Sequence, residues 1–236
     1  MNVASPGRRV GTSDSGASTG CGVEPDDLHS LVLALDYRVE DVDGTWSLIC
    51  DQRSPLLDVG ARHAVLYTSV NEAGRVLVTI GLRHRVSVEE LLRSPALFEW
   101  FDRAGVTDLP AIFAGEVREK IDIPGPAADP ATARVIVGAV SAVADTADLM
   151  AEVHAGLDRF GGAGVRKVWI YQAVDDGREV LTLLEFDSVA RAQSWIDHPD
   201  SAAQWMAGAG VGGYPRPFIG TLTAATDLMT TANDGR

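Results

Sequence analysis

Apolar positions along this chain follow two spacings, one typical of strands and the other of helices. Short apolar runs at 31–35 and 135–140 have the length and composition of buried strands. Each run is followed by a stretch with helical spacing. In the second half this spacing is carried by Leu149, Val153, Leu157 and Phe160.

Capping and breaking residues predict where these first helices begin and end. Asp145 or Thr146 is placed to cap the second-half helix, and Gly161-Gly162 to end it. In the first half Ser54-Pro55 interrupts the pattern, which predicts a break or a second short helix there.

A hairpin, a second helix and a final strand follow in each half. The turns at 71–74 and 175–177 contain the Asn, Asp and Gly residues that tight turns favour. Ser87 and Ser188 open the second helices, which Pro95 and Pro199 divide into two pieces. The predicted strands are 64–70, 76–82 and 112–121 in the first half, and 167–174, 179–186 and 218–223 in the second.

The two halves repeat the same residues in the same order. The offset stays between 103 and 105 residues, which predicts duplication of a unit of roughly one hundred residues. The matching positions are Gly60-Ala61-Arg62 with Gly164-Val165-Arg166, Tyr67 with Tyr171, Val70 with Val174, Gly74-Arg75 with Gly177-Arg178, Val76-Leu77 with Val180-Leu181, and Trp100-x3-Ala104-Gly105-Val106 with Trp205-x3-Ala209-Gly210-Val211.

The order strand, helix, strand, strand, helix, strand predicts an α+β fold made of two tandem ferredoxin-like repeats. Each repeat places both helices on one sheet face and leaves the other face bare, so we expect the two bare faces to meet in an intramolecular barrel. The predicted boundaries are a disordered tail at 1–26, repeat 1 at 27–123, a linker at 124–132, repeat 2 at 133–229 and a C-terminal tail at 230–236.

Side-chain alternation supports the buried second face. Trp169 and Tyr171 point to one side of their strand while Val168 and Ile170 point to the other. Val65 and Tyr67 likewise oppose Leu66 and Val70. Because both sides are apolar, both are expected to be covered.

Charge and cysteine content narrow the partners and the compartment. The formal net charge of −13, with no basic cluster, predicts no nucleic-acid partner. No apolar run is long enough to span a membrane, and Gly/Ser/Thr-rich residues 10–22 contain no apolar core for export. With only Cys21 and Cys50 there is no disulfide framework, so we predict a cytoplasmic protein.

One segment of the second half carries a family pattern, Glu185-Phe186-Asp187-Ser188-x-Ala190-x4-Trp195-x2-His198-Pro199. With the element order, it resembles the dimeric α/β-barrel superfamily, which includes antibiotic-biosynthesis-type and haem-degrading monooxygenases. The resemblance implies a monooxygenase-like protein that binds or oxidises a small aromatic or polyketide-like molecule without a metal. Members usually reach the barrel by dimerising, whereas this chain resembles a fused pair.

Departures from the pattern argue against haem degradation. Phe186 stands where the haem-degrading members carry tryptophan, and Gln204 where they carry the ligating histidine. Neither opening strand has their asparagine. No cofactor is therefore expected. Haem is the alternative, by similarity to the double-repeat chlorite dismutases and coprohaem decarboxylases, and His154 would then be its ligand, although a helical histidine is more commonly just partly exposed.

Seven residues are candidates for the site. His84, His198 and Tyr171 are the catalytic candidates, since histidine exchanges protons near neutral pH and a phenol can donate a hydrogen bond. Tyr67, Trp100, Trp195 and Trp205 are the substrate-binding candidates, since aromatic walls suit a flat molecule. Surface positions or helix caps for the histidines and core packing for the aromatics are the competing interpretations.

Three functions remain open on the sequence alone. The first is a cofactor-independent monooxygenase acting on a small-molecule ligand. The second is a non-catalytic ligand-binding or structural barrel, and the third is a haem- or coprohaem-handling protein. Fusion predicts either a monomer or a homodimer, because one chain can close its own barrel and related barrels associate further.

Overall fold

The computed structural model describes residues 30–83, 89–90, 92–93, 95–125, 134–197 and 217–229. Its elements run β1 (Leu31–Arg38), α1 (Val42–Asp51), α2 (Arg53–Asp58), β2 (Ala61–Ser69), β3 (Arg75–Leu82), α3 (Pro95–Arg103), β4 (Ala111–Asp122), β5 (Val135–Ala142), α4 (Thr146–Ala155), α5 (Leu157–Ala163), β6 (Val165–Ala173), β7 (Glu179–Phe186), α6 (Val189–Asp197) and β8 (Phe218–Asp227).

The strands pair in the order β1-β3-β2-β8-β5-β7-β6-β4 and close into a barrel with every pair antiparallel. The predicted α+β class is confirmed. Each half contributes four neighbouring strands, and two seams join the halves, β2 with β8 and β4 with β6. Each seam has a register shift, at Leu66/Tyr67 in one and Val117/Glu119 in the other.

Three apolar layers hold this barrel together. Two lie outside it, one between the sheet and the helices of each half, and the third fills the barrel interior. The predicted alternation is confirmed on β6, where Trp169 and Tyr171 belong to the interior and Val168 and Ile170 to the outer layer of the second half. Both sheet faces are thus buried, which explains why these strands are apolar on both sides.

Two glycines line the interior where a phenylalanine of the same strand folds back over the backbone. A Cβ built on Gly115 would lie 2.5 Å from the Phe113 ring, and one built on Gly220 would lie 2.4 Å from the Phe218 ring. Only glycine leaves room for an aromatic ring in this position. The Phe-x-Gly pattern therefore occurs at equivalent places in β4 and β8.

The first helices differ from the prediction in the second half only. The expected break in the first half is confirmed, because α1 ends at Asp51 and α2 begins at Arg53. In the second half Asp145 caps α4 by accepting from the Ala147 amide at 2.6 Å, as predicted. The continuous helix was wrong, since α4 ends before Gly156 and the segment stops at left-handed Gly164 (φ 94°), not at Gly161-Gly162. The break falls at Gly156, the C-cap of α4, whose amide donates to the carbonyls of Glu152 and Val153.

Pro95 begins α3, in the first turn, where proline's missing N–H is tolerated. The predicted break at Pro199 lies outside the described residues, as do most of the predicted linker and both tails.

Candidate functional site

An apolar cleft opens between the sheet and the helices of the first half, and we call it the helix–sheet cleft. Its volume is about 100 Å³. A cavity of roughly 150 Å³ holds a benzene ring in a well-studied protein, so this smaller space takes at most one small ring or the end of a larger flat molecule. Its main walls are Leu33, Leu35 and Ile80 from the sheet, and Ile49, Leu56 and Trp100 from the helices.

The local sequence explains why the cleft forms here. Leu33 and Leu35 alternate outward along β1, towards the helices. The break between α1 and α2 separates Ile49 from Leu56 on opposite sides of the gap. Gln52 lies at this break and contributes the one polar side chain among the described lining residues.

A buried phenol lies beside the cleft. Tyr37 is two residues beyond Leu35 on the same face of β1, and its ring packs edge-on against Trp100 with centroids 5.5 Å apart. A second edge contact joins it to Phe101 at 5.7 Å. Tyr37 is 3% exposed, and its hydroxyl has no hydrogen-bond partner among the described residues. Buried hydroxyls nearly always have a hydrogen-bond partner, so this one has unused hydrogen-bonding capacity.

Burial in this apolar layer raises the pKa of the Tyr37 phenol well above its ordinary value. The group is therefore neutral at physiological pH and can donate a hydrogen bond but cannot act as a base. Sequence reasoning missed it, because only an asparagine was sought on the opening strand. The available signal was its position in the strand. Tyr37 ends the series of alternate β1 residues that face the helices, and the equivalent residue of β5 is Ser141.

The structure places the predicted aromatic residues in three separate regions. Trp100 lines the helix–sheet cleft. Trp195 lies in the outer layer of the second half, packed against Phe160 at 5.5 Å. Tyr67 and Tyr171 lie in the barrel interior, on the other face of the sheet. These four residues therefore do not share one pocket.

The predicted histidines lie elsewhere or outside the described part of the chain. His154 is on the surface of α4, with its side chain 52% exposed and its Nε2 2.8 Å from Glu119. His84, His198 and Trp205 lie outside the described residues, so their roles stay predictions.

Haem finds no ligand in the helix–sheet cleft as far as the structure describes it. None of the described lining residues carries an imidazole, a thiolate or a thioether, the groups that usually hold haem iron. His154 is engaged with Glu119 on the surface, away from these walls. Within the described ranges no three His, Cys, Asp or Glu side chains converge in a way that could hold a metal ion.

Among the helices that the structure describes, none is both long and apolar enough to cross a membrane.

No protein-family model and no curated protein sequence matches this chain. Solved structures do resemble it. An anthrone oxidase-like protein has a TM-score of 0.59 at 14% identity, over 89% of this chain and 98% of its own. A candidate monooxygenase of Fusobacterium nucleatum subsp. nucleatum has a TM-score of 0.55 at 9% identity, over 85% and 95%.

A haem-binding protein of Thermus thermophilus has a TM-score of 0.51 at 15% identity, over 84% of this chain and 92% of its own. Likeness at such low identity concerns the fold and not the chemistry. The chain therefore shares the fold of these monooxygenase-like and haem-binding proteins, which agrees with the predicted resemblance at the level of the fold.

Proposed function

We propose that this protein binds a small aromatic or polyketide-like molecule in the helix–sheet cleft and oxidises it with molecular oxygen, without a metal. One observation carries the proposal: an apolar cleft next to Trp100 with a buried phenol, Tyr37, whose hydroxyl has no partner among the described residues. Apolar walls with a few polar groups are typical of small-molecule sites.

The chemistry requires no external reductant. An activated CH₂ group loses two hydrogens and gains one oxygen atom from O₂ to become a carbonyl, and the other oxygen atom leaves as water. The substrate supplies all four electrons that O₂ accepts. The protein has to bind the substrate, exclude water and stabilise the oxyanion that forms when the substrate loses a proton.

We assign the last of these tasks to Tyr37, whose ring packs against Trp100 of the cleft wall. A neutral phenol in an apolar layer donates a strong hydrogen bond to an oxyanion, because the low local dielectric strengthens the interaction. Proton removal needs a base, for which His84 and His198 are the sequence candidates. Tyr171 remains a candidate for catalysis only from the barrel interior.

A non-catalytic binding protein is the alternative function. The helix–sheet cleft supports it equally, because its described lining contains no base. Binding without oxygen consumption would favour it.

We further propose that the barrel arose by tandem duplication of a ferredoxin-like unit, with repeats at 27–123 and 133–229. The matching strand order of the halves, the paired seam shifts and the two Phe-x-Gly patterns support this.

Since one chain supplies all eight strands, a monomer suffices, and a homodimer would use other surfaces.

Filling the helix–sheet cleft should abolish ligand binding. Leu56→Trp places an indole in a space of about 100 Å³, and we expect at least a tenfold loss of affinity for hydroquinone, measured by calorimetry. Oxygen consumption with anthrone, which carries the activated CH₂ group, should fall in parallel. Leu109→Trp makes the same change at a residue that is 96% exposed and serves as the control. Equal binding by both variants would refute the location of the site.

Removing the Tyr37 hydroxyl should separate stability from binding. Tyr37→Phe deletes a buried hydroxyl that has no described partner, so we expect the free energy of unfolding to rise by about 1 kcal/mol. Affinity for hydroquinone should fall about fivefold, while affinity for toluene, which has no acceptor oxygen, should not change. If Tyr37 were purely structural, Tyr37→Phe would lower the free energy of unfolding and would change the affinities for hydroquinone and toluene equally.

The same variant has an alkaline signature. The folded protein holds the Tyr37 proton to higher pH than the unfolded chain, whose phenol titrates near pH 10, so wild-type stability falls as the pH rises above about 10. Tyr37→Phe lacks this loss. The free energy of unfolding of the variant, measured in urea, should therefore exceed that of wild type by a growing amount above pH 10. A difference that stays constant with pH would contradict the assignment.

A further inference from the structure

A second cavity lies inside one end of the barrel, where β3, β4, β7 and β8 begin, and we call it the barrel mouth. Its volume is about 350 Å³. Its apolar walls include Leu77, Phe113, Leu181 and Phe218. It is separated from the helix–sheet cleft by the sheet itself, since Ala34 and Asp36 line one cavity and Leu33 and Leu35 the other.

The positive charge of the barrel mouth is already neutralised. Arg75 donates from Nε and Nη2 to the two carboxylate oxygens of Asp36 at 2.9 and 2.7 Å, and from Nη1 to Glu72. Its guanidinium also lies 5.4 Å from the centroid of the Phe218 ring. An anionic ligand would have to compete with two carboxylates for this group, so the mouth is not an anion site.

The carboxylates of the barrel mouth are only partly paired with cations. Glu179 opens β7 at the place that Arg75 has in β3, since each residue pairs with the last residue of the neighbouring strand, Ala142 and Arg38 respectively. Val140 stands where the first half has Asp36. Glu179 lines the cavity, and its carboxylate makes no ion pair with any described residue.

From this we infer that the barrel mouth binds a small organic amine, with its ammonium group on the Glu179 carboxylate and its apolar body against Phe113 and Leu181. A single available carboxylate in an apolar wall matches a monocation with a hydrophobic body. A divalent metal ion would need several more oxygen ligands. Because the inference uses the barrel interior only, it does not depend on the activity proposed for the helix–sheet cleft.

Benzylamine at pH 7, titrated into the full chain by calorimetry, tests the inference. We expect one molecule to bind, with benzyl alcohol and benzoate binding at least tenfold more weakly. Glu179→Gln should weaken benzylamine about tenfold, the usual effect of losing a charged hydrogen-bond partner. Glu152→Gln, a half-buried carboxylate of α4 that does not line the mouth, should leave binding unchanged.

A second variant guards against a folding artefact. Val140 lines the mouth and is 38% exposed, so Val140→Trp can narrow the cavity without disturbing a sealed core, and it should also abolish benzylamine binding. The inference would be overturned if benzoate bound as tightly as benzylamine. It would also be overturned if both mouth variants kept the wild-type affinity for benzylamine. Hydroquinone binding to the Glu179→Gln variant reports on the helix–sheet cleft separately, so the two proposals fail independently.

Discussion

Replacing Phe160 by alanine is expected to lower the free energy of unfolding by about 4 kcal/mol. Phe160 lies on α5, is 0% exposed and packs edge-on against Trp195 in the outer layer of the second half. Removing the ring withdraws its apolar surface and leaves a cavity that Leu149 and Val153, both fully buried on α4, can fill only in part. Urea unfolding followed by circular dichroism measures the change.

Phe98→Ala is the matched control for this prediction. Phe98 lies on α3 but is 60% exposed, so the same truncation should change stability by less than about 0.5 kcal/mol. A loss below about 1 kcal/mol in Phe160→Ala would contradict the packing described for the second half.

Replacing Arg75 by methionine should cost about 3 kcal/mol. The Arg75 side chain is 12% exposed and holds Asp36 and Glu72, which are 26% and 28% exposed. Methionine is a long unbranched side chain like arginine, but it loses the cation–π contact with Phe218 and leaves two carboxylates close together without their common cation. Because both carboxylates retain some water, the effect falls at the low end of the range for buried pairs.

Arg178→Met provides the comparison. By sequence, Gly177-Arg178 repeats Gly74-Arg75, yet the Arg178 side chain is 73% exposed and lies 3.9 Å from Asp176. Exposed pairs contribute little, so this variant should be within about 0.5 kcal/mol of wild type in urea unfolding. Similar losses in the two arginine variants would refute the structural difference between them.

Local patterns were sufficient for most of the secondary structure. The two hairpins lie within a few residues of their predicted positions, because turn residues and strand-length apolar runs act over short distances. The break near Ser54-Pro55 followed from the same local reasoning. The break at Gly156 did not, since the apolar spacing continues across it from Val153 to Leu157 and conceals a glycine in mid-helix.

The candidate site was harder to predict. Tyr67, Tyr171, Trp100 and Trp195 are all aromatic residues of the core, but alternate residues of a strand face opposite sides of the sheet, and the structure divides them among separate layers. The role proposed for Tyr37 rests on the absence of a hydrogen-bond partner among the described residues, and that cannot be judged until its neighbours are known.

By itself, the sequence determined the α+β class, the order of the elements and the apolar character of both sheet faces, because these depend on spacing and composition within short segments. Only the tertiary structure decided which of the repeated positions are buried, ion-paired or exposed. Barrel closure buries Arg75 between two carboxylates and leaves Arg178 in water, and it turns Glu179 towards the barrel mouth. Burial and ion pairing depend on residues far apart in the chain, so residues that repeat in the sequence can have different surroundings.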